Sequence, residues 1–177
     1  VSKISNDAEI IICSSAALRA QQTAQEIFKV LSQSFICELD TTLYEGLCEL
    51  GQGSWEGLPK DDVYKADLSQ WERLSPYDKI FQPKVSGGES YSDVVKRFFP
   101  GLEAIIQKHP RKLKLVVSHH AALNAAILHW NGSIETLSKD PRAKLPSIPL
   151  GNCDIISVKV PVQGSLHEAK ALVHYQA

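Results

Sequence analysis

The chain has 177 residues, 44% of them hydrophobic and 22% charged, which is enough apolar material for one globular domain with a sizeable core and leaves little for a second. Its 19 basic and 20 acidic residues leave a net charge of -1, so no overall field favours nucleic acid or an anionic membrane, and any anion pocket has to be local. Cys13, Cys37, Cys48 and Cys153 form no C-x-x-C pair, which argues against a metal motif or a disulfide framework and for buried thiols in a reducing, cytoplasmic setting.

The longest apolar runs, residues 9–13 and 113–117, fall far short of the roughly 20 residues that span a bilayer. The sequence holds no methionine and opens on Val1-Ser2-Lys3 without a signal-peptide pattern, as a fragment or a processed chain would.

In chain order, residues 8–14 are a short β-rich apolar run, and residues 16–31 repeat apolar side chains at Ala20, Ala24, Ile27, Phe28 and Leu31. That pattern predicts a strand feeding a helix. Residues 35–39 read as a second strand, residues 44–57 as a glycine-rich functional loop, and residues 59–74 as two short helical pieces around Trp71. Ser86-Gly-Gly-Glu89 has the spacing of a capping box and predicts a helix starting near Gly88. Its stripe of Val94, Val95, Phe98, Leu102, Ile105 and Ile106 runs to His109-Pro110, with Pro100 expected to bend it. Residues 113–118 are a further buried strand and residues 121–130 a further helix. After a proline-punctuated loop at 142–149, two β-rich runs at 153–160 and 166–173 flank Gln163-Gly164, a hairpin turn. Strands alternating with helices predict an α/β fold of three layers, helix/sheet/helix, with a mostly parallel sheet and the hairpin at one side.

Ligands in such sheets sit beyond the carboxyl ends of the strands, which singles out two junctions. At the first, Ser15 is placed to cap the helix and Arg19, one turn in, can grip a phosphate with its guanidinium fork. A solvated helix arginine is the plainer alternative. At the second, His119 falls where a buried strand ends and a helix N-terminus favours anions. There the alternative is a neutral, hydrogen-bonded histidine at the core's edge. The loop between them offers Glu49 and Glu56, either of which can supply a proton or be an ordinary surface acid.

Taken in order, these blocks resemble the histidine-phosphatase family, the phosphoglycerate-mutase-like proteins. That family has an N-terminal R-H-G-x-T, then S-S-P-x-x-R-A-x-Q-T-A, L-x-E-x-x-x-G-x-W-E-G, G-G-E-S and V-S-H-G. Residues 14–24, 47–57, 87–90 and 117–119 match the last four blocks. The resemblance implies a metal- and cofactor-independent phosphomonoester hydrolase with a small phosphorylated substrate. Arg19 and His119 would bind phosphate, and Glu49 would be general acid and base beside the catalytic His119. Trp55 and Glu56 would be structural, and Gly87, Gly88, Glu89 and Ser90 would start and orient a helix.

The R-H-G-x-T block, which in the family carries the attacking histidine, does not occur in these 177 residues. The expected explanation is truncation, with the first strand and catalytic loop missing, since losing a strand would leave backbone groups without partners. A pseudophosphatase, or a domain completed by another chain, is the alternative. The short stretch between Glu49 and His119 resembles the phosphatase branch more than the mutase branch, and a non-catalytic phosphate-binding module is the third possibility. Residues 59–85, with Trp71, Tyr77 and Phe81, are expected to cover the pocket or pack as ordinary core. Among the departures from the pattern, Gly51 and Gln52 are expected to loosen the loop around Glu49. His120 replaces a glycine, and Asn124 stands where many members have arginine.

Overall fold

The computed structural model describes residues 8–59, 63, 73–151, 153–160 and 165–174. Five strands, β1 (Glu9–Ser14), β2 (Ile36–Leu39), β3 (Leu113–Val117), β4 (Ile155–Lys159) and β5 (Lys170–His174), are described. They are accompanied by helices α1 (Leu18–Leu31), α2 (Pro76–Phe81), α3 (Tyr91–Lys108), α4 (His120–Trp130) and α5 (Ser133–Lys139). The chain divides into two units, Val1–Cys48 with Arg97–His119, and Glu49–Lys96 with His120–Ala177.

In the first unit, β1 reads EIIICS and is buried on both faces after its first residue, as a parallel strand covered on both sides requires. It lies between β2 and β3, parallel to each, with Ile10 opposite both Cys37 and Leu113. On one face α1 sets its small buried residues Ala20 and Ala24 against the sheet, and Ala24 joins Ile10 and Ile12 in a core ringed by Ile27, Phe28, Leu31, Leu115 and Val117. Small residues let helix and sheet approach closely. Ile11 and Cys13 are buried on the opposite face. The end of α3 reaches that side, where Lys108 and His109 hydrogen-bond to Asp40. The sheet is thus parallel and flanked by helices, as the periodicity predicts.

The second unit has its own core of Ile80, Leu128 and Leu137, packed by Phe81, Tyr91, Ile134, Leu145 and Ile148. Phe81 is therefore a core residue, with the Tyr77 ring 4.6 Å from its own. The hairpin forms a separate two-stranded antiparallel sheet of β4 and β5, and its expected turn at 163–164 lies outside the described residues, as does Trp71.

Several boundaries differ from the expected ones. Helix α3 begins at Tyr91, not near Gly88, because the capping box is Ser90 with Asp93. The Ser90 hydroxyl accepts from Asp93 N–H at 3.1 Å, and the Asp93 carboxylate accepts from Ser90 N–H at 3.2 Å. The helix then runs through Pro100 to Lys108. Helix α2 starts where Ser75 caps it and Pro76 opens it, with proline at the first helical position, where its missing N–H costs nothing. Helix α5 follows α4 almost at once, because Gly132 adopts φ 76 at the join and stops α4 in the left-handed conformation. A 3-10 turn at Leu166–Glu168 replaces the start of the last expected strand. All four cysteines are free, but only Cys13 is buried, whereas Cys37 and Cys48 are half-buried and Cys153 is exposed.

Candidate active site

The carboxyl ends of β1 and β3 lie side by side, because Ser14 pairs with Val117 and Ser15 N–H donates to Val117 C=O at 2.9 Å. The residues that follow these ends are Ser15 and Ser118-His119. His119 is 7% exposed and Ser15 0%, and Ser15 Oγ and His119 Nε2 share a hydrogen bond of 2.6 Å. Ser15 is thus a partner of the imidazole rather than the helix cap. The N-cap of α1 is Ala17, with no side-chain cap bond, and Ser15 Oγ is 3.4 Å from Ala17 N. Ser118 donates its hydroxyl to Leu47 C=O at 2.8 Å. Arg19 lies in the first turn of α1, exposed, with no side-chain hydrogen bond or ion pair among the described residues.

Glu49 belongs to the second unit and is half-buried. Its Oε1 accepts from Leu50 N–H at 2.9 Å and Ala122 N–H at 3.0 Å, and its Oε2 accepts from Ala121 N–H at 3.3 Å. The last two are first-turn amides of α4, which have no intrahelical partner and sit at the positive end of the helix dipole. Burial, and then the charge of Glu49, push the Tyr91 phenol above its ordinary pKa. His120 is exposed and pairs with Asn124, Nε2 to Nδ2 at 3.0 Å. Asn124 is 8% exposed, and its Oδ1 has no hydrogen-bond partner among the described residues.

Two features escaped the sequence. Arg97 donates from one guanidinium nitrogen to the carbonyls of Gly46 and Cys48, each at 2.8 Å, and so fixes the segment that leads into Glu49. Gly46 permits this packing, since a Cβ there would lie 2.5 Å from Arg97 O. The second feature is a network around Asp40, directly after β2. Its carboxylate accepts from the Tyr44 hydroxyl at 2.6 Å, His109 Nε2 at 2.9 Å, Lys108 Nζ at 2.9 Å and Thr42 N–H at 2.9 Å. Burial alone would raise its pKa, but these donors hold it far below the ordinary carboxylate range.

Cys13, Asp40 and His109 have ligand atoms within 4.8 Å of one another, a group near enough for a metal ion among the described residues. The oxygens of Asp40 are already taken by the donors just named. The Cys13 thiol is pushed up to about 12 by burial and by the charge of Asp40. We read this group as a structural tether.

The protein is of the α/β class, with a buried histidine at the carboxyl end of a parallel strand and a carboxylate held by helix amides. Residues 3–164 match the model of the histidine phosphatase superfamily (branch 1), and the chain belongs to that family. It is 30% identical over 150 residues to a 2,3-bisphosphoglycerate-dependent phosphoglycerate mutase of Bartonella quintana, covering 81% of this chain and 69% of that protein. It is 32% identical over 108 residues to the bifunctional protein Rv2228c of Mycobacterium tuberculosis, covering 61% of this chain and 27% of that one. Among solved structures, Bacillus stearothermophilus YhfR superposes with a TM-score of 0.52 at 24% identity, over 71% of this chain and 57% of that chain. The chain thus spans little more than half of that structure. No helix of the described residues is long and apolar enough to cross a membrane.

Proposed function

We propose that the protein is a cytoplasmic, metal-independent phosphomonoester hydrolase that works through a phosphohistidine, with the attacking histidine in an R-H-G-x-T segment outside these residues. Arg19 and His119 hold the phosphoryl oxygens, where fixed donors stabilise the charge that builds in the transition state. The attacking imidazole nitrogen forms a bond to phosphorus as the bond to the leaving oxygen breaks, and the Glu49 carboxyl gives that oxygen a proton. Water then attacks phosphorus, the P–N bond breaks, the Glu49 carboxylate takes a proton from the water, and inorganic phosphate leaves. The observation that supports this best is the buried His119 imidazole, fixed by Ser15 at 2.6 Å where β3 ends. Such a side chain has lost its freedom before any ligand arrives.

The likeness to a phosphoglycerate mutase favours a second reading, in which the phosphohistidine returns its phosphoryl group to another hydroxyl of a phosphoglycerate. One experiment separates the two. The protein, with any segment that precedes Val1, is assayed with p-nitrophenyl phosphate in EDTA and, separately, for interconversion of phosphoglycerates. Hydrolysis is expected to dominate, and Glu49→Ala and His119→Ala each to lower kcat/KM by about 10²–10⁴-fold. Isomerisation faster than hydrolysis would select the mutase. A folded protein that contains R-H-G yet turns over neither substrate would remove both.

A further inference from the structure

The carboxylate of Glu89 makes a contact in the second unit that neither its place before a helix nor the capping box explains. Its Oε2 accepts from Gly51 N–H at 2.8 Å, and its own N–H donates to Gly51 C=O at 3.0 Å. Gly51 is thereby held at both its amide and its carbonyl, two residues after Glu49. A second strut lies alongside, where Ser54 N–H donates to Ser86 C=O at 3.0 Å. The two strands of loop touch so closely there that a Cβ on Gly53, which has φ +50, would collide with Gly88 N and Ser86 O. Gln52 is held as well, its N–H donating to Glu56 Oε1 at 2.7 Å. The expectation that Gly51 and Gln52 loosen this loop is therefore reversed.

We propose that Glu89 is the positioning residue for Glu49, fixing the 49–53 loop through Gly51 so that the Glu49 carboxylate stays on the amides of Ala121 and Ala122. Glu89 is half-buried, and its ionised carboxylate makes a stronger, shorter bond to an amide than a neutral acceptor would. A carboxylate that transfers protons loses much of its effect when displaced by about 1 Å. Glu89 thus serves the hydrolase proposed above by acting through Glu49.

The test uses Glu89→Ala and Glu89→Gln, read by NMR amide exchange and by kinetics. Glu89→Ala is expected to speed exchange at Gly51 and, through the displaced Glu49, at Ala121 and Ala122, each by about tenfold or more. It is also expected to lower kcat by about 10–100-fold, with KM within about twofold. Glu89→Gln keeps an acceptor for Gly51 N–H and should recover both readouts to within about threefold. Faster exchange confined to Gly51, with Ala121 and Ala122 unchanged, would reduce Glu89 to local packing and overturn the proposal. So would equal losses in the two variants. Because amide exchange needs no turnover, a protein without phosphatase activity whose Ala121 and Ala122 amides still respond to Glu89→Ala would refute the hydrolase and leave the positioning role standing.

Discussion

Ser15 has no exposed surface, and its hydroxyl ends 2.6 Å from His119 Nε2. Ser15→Ala therefore deletes a buried hydrogen bond without opening much space. The expected cost is about 1–2 kcal/mol, measured as a lower urea midpoint at unchanged m-value. In an active protein kcat/KM should fall about tenfold, since the imidazole loses part of its fixed orientation. A variant as stable and as active as the parent would show that the pair does not hold the ring. The sequence made Ser15 visible but not its role. A hydroxyl just before a helical repeat looks like a cap, and only the register of β1 against β3 shows that a histidine 104 residues further on lies beside it. His119 and Glu49 were legible for a different reason, since the motifs that resemble the family run through them. Nothing in chain order reveals that the Glu49 carboxylate rests on the first amides of α4.

The start of α3 separates two cap candidates four residues apart. Ser90 is 2% exposed and exchanges hydrogen bonds with Asp93, whereas Ser86 is exposed and contributes its carbonyl to Ser54. Ser90→Ala is expected to cost about 1–2 kcal/mol, and Ser86→Ala less than about 0.5 kcal/mol. Chemical denaturation of both variants decides it, and a reversed order would restore the cap near Gly88. Both serines carry an acidic residue three positions on, so spacing alone does not choose between them. The tertiary demand on Glu89 does, because its carboxylate is taken by Gly51. Elements with a strong period were legible throughout. The continuous apolar β1 and β3 and the amphipathic α1 and α3 fall within a few residues of their expected bounds. The short pieces were not, since α5 and the Leu166–Glu168 turn are set by Gly132 and by local capping rather than by periodicity.

At the scale of the whole molecule, the buried Asp40 carboxylate and the half-buried His129 imidazole make stability depend on pH in separate windows. The Asp40 pKa lies below its ordinary 3.8, where burial is outweighed by Tyr44, His109 and Lys108. The unfolded chain then binds more protons at this site near pH 4, so its stabilisation is complete above that value and fades as pH falls toward the depressed folded pKa. The His129 pKa lies below its ordinary 6.5, through burial and then through His167, whose Nδ1 is 3.0 Å from His129 Nε2. Here too the unfolded chain binds more protons, so stability drops as pH falls through 6.5 and levels off below the folded pKa. Cys13, at about 12, adds nothing in either window. Melting temperature against pH should therefore show a shoulder below about 6.5 and a steeper limb below about 4. His129→Gln should flatten the shoulder and leave the limb. Asp40→Asn should lower stability by about 2–3 kcal/mol at pH 7, less than a fully buried pair loses because Lys108 is half exposed, and should flatten the limb while leaving the shoulder. If Asp40→Asn is as acid-sensitive as the parent, the limb arises at other carboxylates, and the network that ties the end of β2 to the end of α3 contributes no pH-dependent stability.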